Sequence, residues 1–338
     1  MADKVTIADV ARAAGVSRQT VSNVLNTPEV VREETRQRVL DAVEELGYRV
    51  NQAARRMRTG RSGLIAIRVD PEHDGINGSV LDRFLHALTE SAVQAGYRLL
   101  VYTADGDDRE IAAFEDLLGA YEPDAFVLTS THHKDRRTSW LLEQGLPFVT
   151  FGRPWSELPA LPHPWVDVDG AAGTDAATSH LIAKGHRRIG FIGWPDGSGV
   201  GDDRRQGWLR ALDRAGLDAT GLSRATTDGI ADGEAAARDL LAADPAITAL
   251  VCASDSLALG ALHVAREPSP AWRADAGGFV AVTGFDDTAV AKAIGLTSVH
   301  QPLAEAAVNC VALLARLFEG QPPGHALLQP SLVVRQSA

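Results

Sequence analysis

Three side chains that can hydrogen-bond to nucleic-acid bases lie close together near the N-terminus. Arg18, Gln19 and Asn23 all fall within the segment SRQTVSNVLN. In the major groove of DNA an arginine can donate two hydrogen bonds to guanine, and a glutamine or asparagine can pair in a similar way with adenine. On a helix these positions share the outer face, because the apolar residues between them point the other way. One exposed helix face could therefore contact several base edges at once.

The residues around this face predict the elements that hold it. Gly15 permits a tight backbone turn, and Ser17 can cap the start of a following helix with its hydroxyl oxygen. Two short helices separated by such a turn are typical of a helix-turn-helix, whose second helix enters the major groove. The alternative is a small amphipathic helical hairpin with a polar surface. The apolar positions that predict the two helices are Ile7, Val10, Ala11, Val21, Val24 and Leu25.

A third helix is predicted from Glu33 to Leu46, and Gly47 ends it, so residues 1–47 form a three-helix headpiece. Residues 48–62 follow as a separate segment, with four arginines in NQAARRMRTGRS. Such a short and highly charged segment is not stable as a helix alone in water. Contact with DNA phosphates would relieve the repulsion among the arginines, so we expect the segment to become a hinge helix on DNA. The alternative is a basic linker that stays solvated.

Charge divides the chain into two parts. The 338 residues carry a formal net charge of −11, yet residues 1–63 hold 11 Lys and Arg against 8 Asp and Glu. A basic N-terminal part on an acidic body suits a single DNA-facing module.

Cys252 and Cys310 lie in apolar runs, which predicts buried single thiols rather than a disulfide framework or a zinc site. We expect cytoplasmic residence and no membrane contact, because the sequence shows neither a signal peptide nor a membrane-spanning run.

The rest of the chain alternates strands with helices. Short apolar strands followed by amphipathic helices predict parallel sheets that are covered on both faces. Two successive runs of this kind predict two α/β lobes, one of residues 63–166 with 301–323 and one of residues 167–300 with 324–338. Small ligands bind such sheets near the carboxyl ends of the strands, so we expect a ligand cleft between the lobes. The predicted strands are 64–69, 97–103, 125–129, 148–151, 188–193, 249–253 and 279–285.

Several segments together resemble the LacI family of bacterial transcription regulators. TIADVARAAGVSRQTVSNVLN is similar to the family's headpiece, and NQAARRMRTGRSGLIAI resembles its hinge. HLIAKGHRRIGFIG, ASDSLALGAL, VTGFDD and TSVHQPL resemble its core. The resemblance implies an N-terminal helix-turn-helix domain and a two-lobed core like that of periplasmic binding proteins. It also implies a homodimer that reads the two halves of a pseudo-palindromic operator.

The resemblance assigns roles in DNA binding. Arg18 and Gln19 open the recognition helix, and Asn23 stands where many family members carry arginine, so we expect a different operator preference there. Met57 matches the apolar side chain that the family inserts into the minor groove at the operator centre. The alternative for Met57 is packing against the core or a partner helix. The expected phosphate contacts are Thr6, Ser17, Thr20, Ser22 and Asn26, and the other expected hinge contacts are Asn51, Ala54 and Arg55.

Other positions match the family's effector site. Arg204 corresponds to its effector-binding arginine, and the Asp286 carboxylate could accept hydrogen bonds from neighbouring sugar hydroxyls. The alternative for Asp286 is an N-cap of the next helix. Ser254 stands where some relatives place asparagine, whereas Asp255 beside it is interpreted as a helix cap. The remaining expected effector contacts are Asp70, Arg153, Trp155, Trp194 and Gln301.

Two tryptophans indicate the chemistry of the effector. Trp155 and Trp194 each follow the end of a predicted strand, and an indole face can stack on the C–H face of a pyranose ring. Ordinary core packing is the alternative for each. The pattern FGRPW…WVDVDG resembles the branch of the family that senses oligosaccharides such as cellobiose or other glucosides.

The sequence therefore predicts a repressor that a sugar releases from DNA, with no cofactor and no metal. One alternative is a regulator that needs a co-repressor, such as a purine or another metabolite. A different class would be a sugar-binding protein or an enzyme without control of DNA. The Gly-rich segment GWPDGSGVGDD lacks the spacing of a phosphate loop, and His132, His133 and His163 accompany no nucleophile motif, so we do not expect an enzyme.

Overall fold

The computed structural model describes residues 5–48, 60–69, 78–155, 163–267 and 279–338. The chain divides into two compact units, Met1–Ser62 and Gly63–Ala338. In the described ranges, no helix has both the length and the apolar character that crossing a membrane requires.

The described residues of the first unit form a three-helix headpiece, as predicted. Its elements are α1 (Ile7–Ala14), α2 (Arg18–Asn26), a 3-10 turn (Pro28–Val30) and α3 (Glu33–Glu45). Gly15 ends α1 in the left-handed conformation, with a φ of 64°. Ser17 Oγ caps α2 by accepting a hydrogen bond from the Thr20 amide at 3.0 Å. The buried core of the headpiece consists of Val10, Ala11, Ala14, Val21, Val24, Val39 and Ala42.

The first lobe of the second unit is built on a six-stranded parallel sheet. Its strands are β1 (Leu64–Val69), β2 (Arg98–Thr103), β3 (Ala125–Leu128), β4 (Phe148–Phe151), β5 (Trp165–Val168) and β11 (His325–Leu328), in the spatial order β11-β5-β4-β3-β1-β2. The helices of this lobe are α4 (Gly78–Gln94), α5 (Asp107–Ala120), α6 (Arg136–Glu143) and α12 (Leu303–Phe318). Ile65 and Ile67 pack with residues of α4 and α12, whereas Ala66 packs with residues of α5 and α6. Because successive strand residues point to opposite faces, helices cover both faces of the sheet.

The second lobe repeats this arrangement. Its strands are β6 (Ile189–Gly193), β7 (Ser223–Ala225), β8 (Ala249–Cys252), β9 (Ala281–Asp286), β10 (Thr297–His300) and β12 (Ser331–Val333), in the order β12-β10-β9-β8-β6-β7. Its helices are α7 (Gly170–Ala183), α8 (Val200–Arg214), α9 (Ile230–Ala243), α10 (Asp255–Ala265) and α11 (Ala289–Ile294). Only the β10–β12 pairing among these strands is antiparallel. Cys252 in β8 and Cys310 in α12 are buried free thiols, as predicted.

The final crossing between the lobes differs from the sequence-based boundary. We expected residues 324–338 in the second lobe, with residues 326–334 as a strand-like segment, but β11 pairs in parallel with β5 and therefore belongs to the first sheet. The chain enters the second sheet only at β12, which pairs with β10. Between the two strands lies Gln329-Pro330, and a proline cannot donate a ladder hydrogen bond, which explains the break at this point.

Candidate functional site

The outer face of α2 presents the residues that were predicted to read bases. Arg18 and Gln19 are exposed, and Asn23 is half-buried one turn further along. Gln19 Nε2 donates a hydrogen bond to Asn23 Oδ1 at 2.9 Å. The two amide side chains therefore hold each other in position on this helix face.

Two of the expected phosphate contacts also stabilise helix ends. Thr6 donates from its hydroxyl to Asp9 at 2.6 Å in a capping box at the start of α1, and Ser17 caps α2. Both residues are exposed, and Thr20 and Ser22 are half-buried on the same helix-turn-helix. The helix of Asn26 is described but its side chain is not. The predicted hinge and cleft residues Asn51, Ala54, Arg55, Met57 and Asp70 lie outside the described residues.

A cavity of about 240 Å³ lies between the two lobes, at the carboxyl ends of the strands. Three of the predicted effector contacts line it, namely Trp155, Arg204 and Gln301. Its other polar lining residues are Thr129, Ser130, Thr131, Asp167 and Asp203, and its apolar ones include Val80, Leu81, Phe151, Val168, Val200 and Phe285. The cavity thus combines hydroxyl, amide and guanidinium groups with apolar surface, as ligand pockets commonly do.

Arg204 is a buried cation of the cavity wall. Its guanidinium carbon lies 3.7 Å from the centre of the Phe285 ring, and its Nη1 donates to the Ala253 carbonyl at 2.5 Å. Nε of Arg204 is buried and has no hydrogen-bond partner within the described parts of the chain. Gly207, one turn later on α8, lies so close to Ala171 of α7 that a Cβ would overlap its carbonyl oxygen. Glycine at this position therefore lets α8 bring Arg204 to the cavity.

Asp286 is not among the lining residues but contacts two of them, Arg204 and Gln301. Its Oδ1 accepts a hydrogen bond from Gln301 Nε2 at 2.6 Å and lies 3.7 Å from Arg204 Nη2. Burial raises the pKa of Asp286 to about 7, although the positive charge of Arg204 acts in the opposite direction. The N-cap of α11 is Thr288, whose Oγ1 accepts from the Ala291 amide at 3.2 Å, so the helix-cap alternative for Asp286 is wrong.

Ser254, and not Asp255 as expected, caps helix α10, and neither residue lines the cavity. Ser254 caps α10 by accepting from the Leu257 amide at 3.2 Å, and its hydroxyl also donates to Asp228 at 2.5 Å. Asp255 is not the cap: it is buried and accepts from Ser298 Oγ at 2.6 Å and from the Thr288 amide at 2.8 Å. Ser254 is absent from the cavity lining because both of its bonds turn it towards its own lobe.

Arg153 links the two lobes near the cavity, whereas the hydrogen bond of Trp155 lies within the first lobe. Arg153 Nε donates to Asp167 at 2.5 Å, and its Nη2 donates to Asp203 on α8 at 3.3 Å. The indole Nε1 of Trp155 donates to Thr131 Oγ1 at 3.2 Å. Arg153 therefore serves as a bridge between carboxylates of both lobes and is not itself among the lining residues.

Trp194 does not line the cavity, contrary to expectation. Its ring packs against the core of the second lobe, with the Arg204 guanidinium carbon 5.2 Å from its centre. The packing interpretation therefore describes Trp194 in this structure. Asp203 and Thr131 were missed by sequence reasoning; the only sequence signal for Asp203 was its place just before Arg204 in the segment GVGDDRRQG.

One group among the described side chains has the reach to surround a metal ion: Asp107, His132 and Asp135. Asp135 is already bound through both carboxylate oxygens by Arg137, at 2.9 and 2.6 Å. Asp107 accepts from the Arg136 amide at 3.1 Å and lies 3.0 Å from His132. The group is thus an internal ionic network, and we assign no metal to it.

One unit carries a helix-turn-helix with polar side chains on the outer face of its second helix, and the other carries a polar cavity between two lobes. Together they define a ligand-responsive DNA-binding regulator. Residues 6–51 match the family described as bacterial regulatory proteins, lacI family, and residues 178–338 match the periplasmic binding protein-like domain. The chain belongs to the lacI family of bacterial regulatory proteins. Its relatives are named as transcriptional regulators, so this protein is a regulator of transcription and not an enzyme.

Similarity to individual relatives extends over almost the whole chain. The protein is 34% identical to the HTH-type transcriptional regulator CelR of Thermobifida fusca over 98% of both chains. It is 30% identical to GalR of Escherichia coli K12, over 98% of this chain and 95% of GalR. Among solved structures, a CelR–cellobiose complex matches with 30% identity and a TM-score of 0.72, over 99% of this chain and 100% of CelR. The operator-bound lac repressor dimer matches with 26% identity and a TM-score of 0.79, over 99% of each chain.

Proposed function

We propose that this regulator is a repressor that binds a pseudo-palindromic operator as a homodimer and leaves it when a sugar binds between the lobes. The effector we propose is an oligosaccharide or glucoside, and the place of action is the nucleoid in the cytoplasm. The cavity between the lobes is the observation that carries the proposal, because its lining matches the alternating polar and apolar faces of a sugar ring.

The polar groups of the cavity suit ligand hydroxyls, which both donate and accept hydrogen bonds. Arg204 supplies donors, and its unpartnered Nε has room for one more bond. Gln301 uses its amide nitrogen on Asp286, which leaves the amide oxygen as an acceptor for the ligand. Trp155 adds an aromatic surface at the cavity wall. The cellobiose bound by the related CelR supports an oligosaccharide in particular.

On the DNA side, we assign base contacts to Arg18, Gln19 and Asn23. The proposed phosphate contacts are Thr6, Ser17, Thr20, Ser22 and Asn26, and the proposed hinge contacts are Asn51, Ala54, Arg55 and Met57. Ligand binding would shift the lobes towards a state in which the paired hinges of the dimer are disfavoured. DNA release by a sugar follows if the ligand binds this state more tightly than the DNA-bound one.

A sugar panel tests the proposal in two steps. Thermal-shift screening of mono- and oligosaccharides identifies ligands, because a ligand that binds only the folded state raises the melting temperature. Gel-shift titration with operator then measures the response, and we expect a glucose-containing oligosaccharide to weaken operator binding. If no sugar changes operator affinity while a purine base tightens it, the sugar assignment is wrong and the protein is a co-repressor-dependent regulator.

A further inference from the structure

We propose that Asp203 makes the cavity selective for uncharged ligands by filling the place that a phosphate or carboxylate group of a ligand would take. This inference rests on the proposed function, since it assumes that the effector binds between the lobes. It narrows the effector to sugars without an acidic substituent.

The side chain of Asp203, which belongs to α8, is bound at the amino end of the neighbouring helix α7. α7 begins at Gly170, which lines the cavity, and the amide of Ala171 in its first turn donates to Asp203 Oδ2 at 2.9 Å. The neighbouring amide of Ala172 is taken by Asp169 at 2.8 Å. The amino end of a helix attracts anions because its free amides and its dipole are both favourable to negative charge. In this protein a side chain of the second lobe already provides that anion.

A guanidinium completes the same arrangement. Arg153 Nη2 reaches the same Oδ2 of Asp203 at 3.3 Å, while its Nε is held by Asp167 at 2.5 Å. A backbone amide and an arginine that converge on one oxygen form the donor set by which proteins bind phosphates and carboxylates. The Asp203 carboxylate is therefore positioned as an internal substitute for such a ligand group.

Other hydrogen-bond donors at the cavity also have acceptors within the protein. α8 begins beside the cavity, and the loop amides of Gly197 and Gly199 before it donate to Asp202 at 2.9 and 3.3 Å. Arg204 is bonded to the Ala253 carbonyl and lies beside Asp286. Among the described lining residues Arg204 is the guanidinium and Asp167 and Asp203 are the carboxylates, and Arg153 outside the lining is bonded to both of these aspartates. Each guanidinium thus already has a carboxylate close by, so an anionic ligand would meet no unpaired positive charge.

Single hydrogen bonds to a neutral ligand remain available. Thr129 and Arg204 both line the cavity. Thr129 Oγ1 and Arg204 Nε are buried and have no hydrogen-bond partner in the described parts of the chain. One donor or acceptor at a time suits a hydroxyl group, which needs no compensating charge. The cavity is therefore prepared for hydroxyls and closed to acidic groups.

Calorimetric titration of the full chain with inorganic phosphate, against sodium chloride of equal ionic strength, tests the role of Asp203 directly. Asp203→Ala should gain saturable phosphate binding at least about tenfold tighter than that of the unmodified protein. Asp213→Ala removes an exposed carboxylate from the same helix and should show no gain. Asp203→Ser provides a second variant with the same expectation if Asp203→Ala does not fold. Equal phosphate affinity of the Asp203 and Asp213 variants would overturn the proposal.

Matched sugars test the consequence for the effector. We expect the unmodified protein to bind glucose or cellobiose at least about tenfold more tightly than glucose 6-phosphate or cellobionate, respectively. Equal or tighter binding of the acidic member of a pair overturns the inference. If none of these sugars binds, the sugar effector of the proposed function fails, whereas the phosphate titration still decides the role of Asp203.

Discussion

Gly199 of the second lobe lies directly against the indole ring of Trp155 in the first lobe. A Cβ at Gly199 would lie 2.7 Å from Cδ2 of the indole, which is closer than two non-bonded carbon atoms can approach. Arg83 makes a further contact between the lobes by donating to the Asp286 carbonyl at 3.1 Å. These contacts, with the Arg153–Asp203 ion pair, hold the lobes together around the cavity.

The first prediction concerns this contact between the lobes. Gly199→Ala should push Trp155 away from the second lobe and weaken binding of the sugar effector by about tenfold, or ~1.4 kcal/mol. Gly197→Ala is the matched control, because Gly197 lies in the same loop with φ of 90° and its Cβ would meet no atom within 4 Å. Both variants carry backbone strain from a positive φ, so only their difference reports the lobe contact. Calorimetric titration measures it, and equal sugar affinities would contradict the prediction.

The second prediction concerns the packing that positions Arg204. Gly207→Ala should lower the free energy of unfolding by about 1–3 kcal/mol, because its methyl group has to displace α8 from α7. Gly119→Ala is the control: Gly119 is exposed near the end of α5 and a Cβ there meets nothing within 4 Å. The control should be neutral or stabilise by up to about 1 kcal/mol, since alanine favours helices more than glycine does. Urea unfolding of both variants decides between these outcomes.

The third prediction concerns the recognition helix. Arg18→Ala should reduce operator affinity by about 1–3 kcal/mol and relax the preference at one base pair of each half-site. Arg38→Ala removes an equally charged, exposed side chain from α3 and should have a smaller and sequence-independent effect. Fluorescence anisotropy with operator and with single-base variants measures both effects. The base-reading role of Arg18 fails if its variant loses affinity uniformly for all duplexes.

The fourth prediction concerns the pH dependence of stability. Burial raises the pKa of Asp286 to about 7 in the folded protein, well above its ordinary value of 3.8. The folded state therefore binds this proton more tightly than the unfolded state, and the resulting stability is lost as the pH rises through this range. Asp286→Asn keeps the shape of the side chain without its charge and therefore does not lose stability in this way. The free energy of unfolding of the variant, relative to that of the unmodified protein, should increase as the pH rises from about 5 to about 8. Urea unfolding at both values tests this, and a pH-independent difference between the two proteins would contradict it.

The parts of the fold that depend on residues close together in the sequence were predicted well. The turn at Gly15 and the cap at Ser17 are local features, and both are present as expected. The prediction of two lobes with parallel sheets is also confirmed, with β12 as the antiparallel exception. Helix and strand periodicity determines these elements within short segments, which is why sequence alone reveals them.

The errors concern contacts between residues that are distant in the chain. Asp255 has the composition of a helix cap, yet its partners Ser298 and Thr288 come from elements more than 30 residues away. The bonds of Asp203 to Arg153 and Ala171 likewise join segments that no local pattern connects. Polar side chains in a buried site are placed by such long-range pairing, and a single sequence carries no record of it.

The central claim is that the cavity and the DNA-binding headpiece share one conformational equilibrium. An operator is first selected by the protein from random DNA duplexes and labelled with a fluorophore. Its binding is then titrated by fluorescence anisotropy with and without saturating cellobiose, which measures this coupling. We expect cellobiose to weaken operator binding, and operator to weaken cellobiose binding by the same factor, because coupling between two sites is reciprocal. Cellobiose that binds the protein while operator affinity stays unchanged would contradict the account.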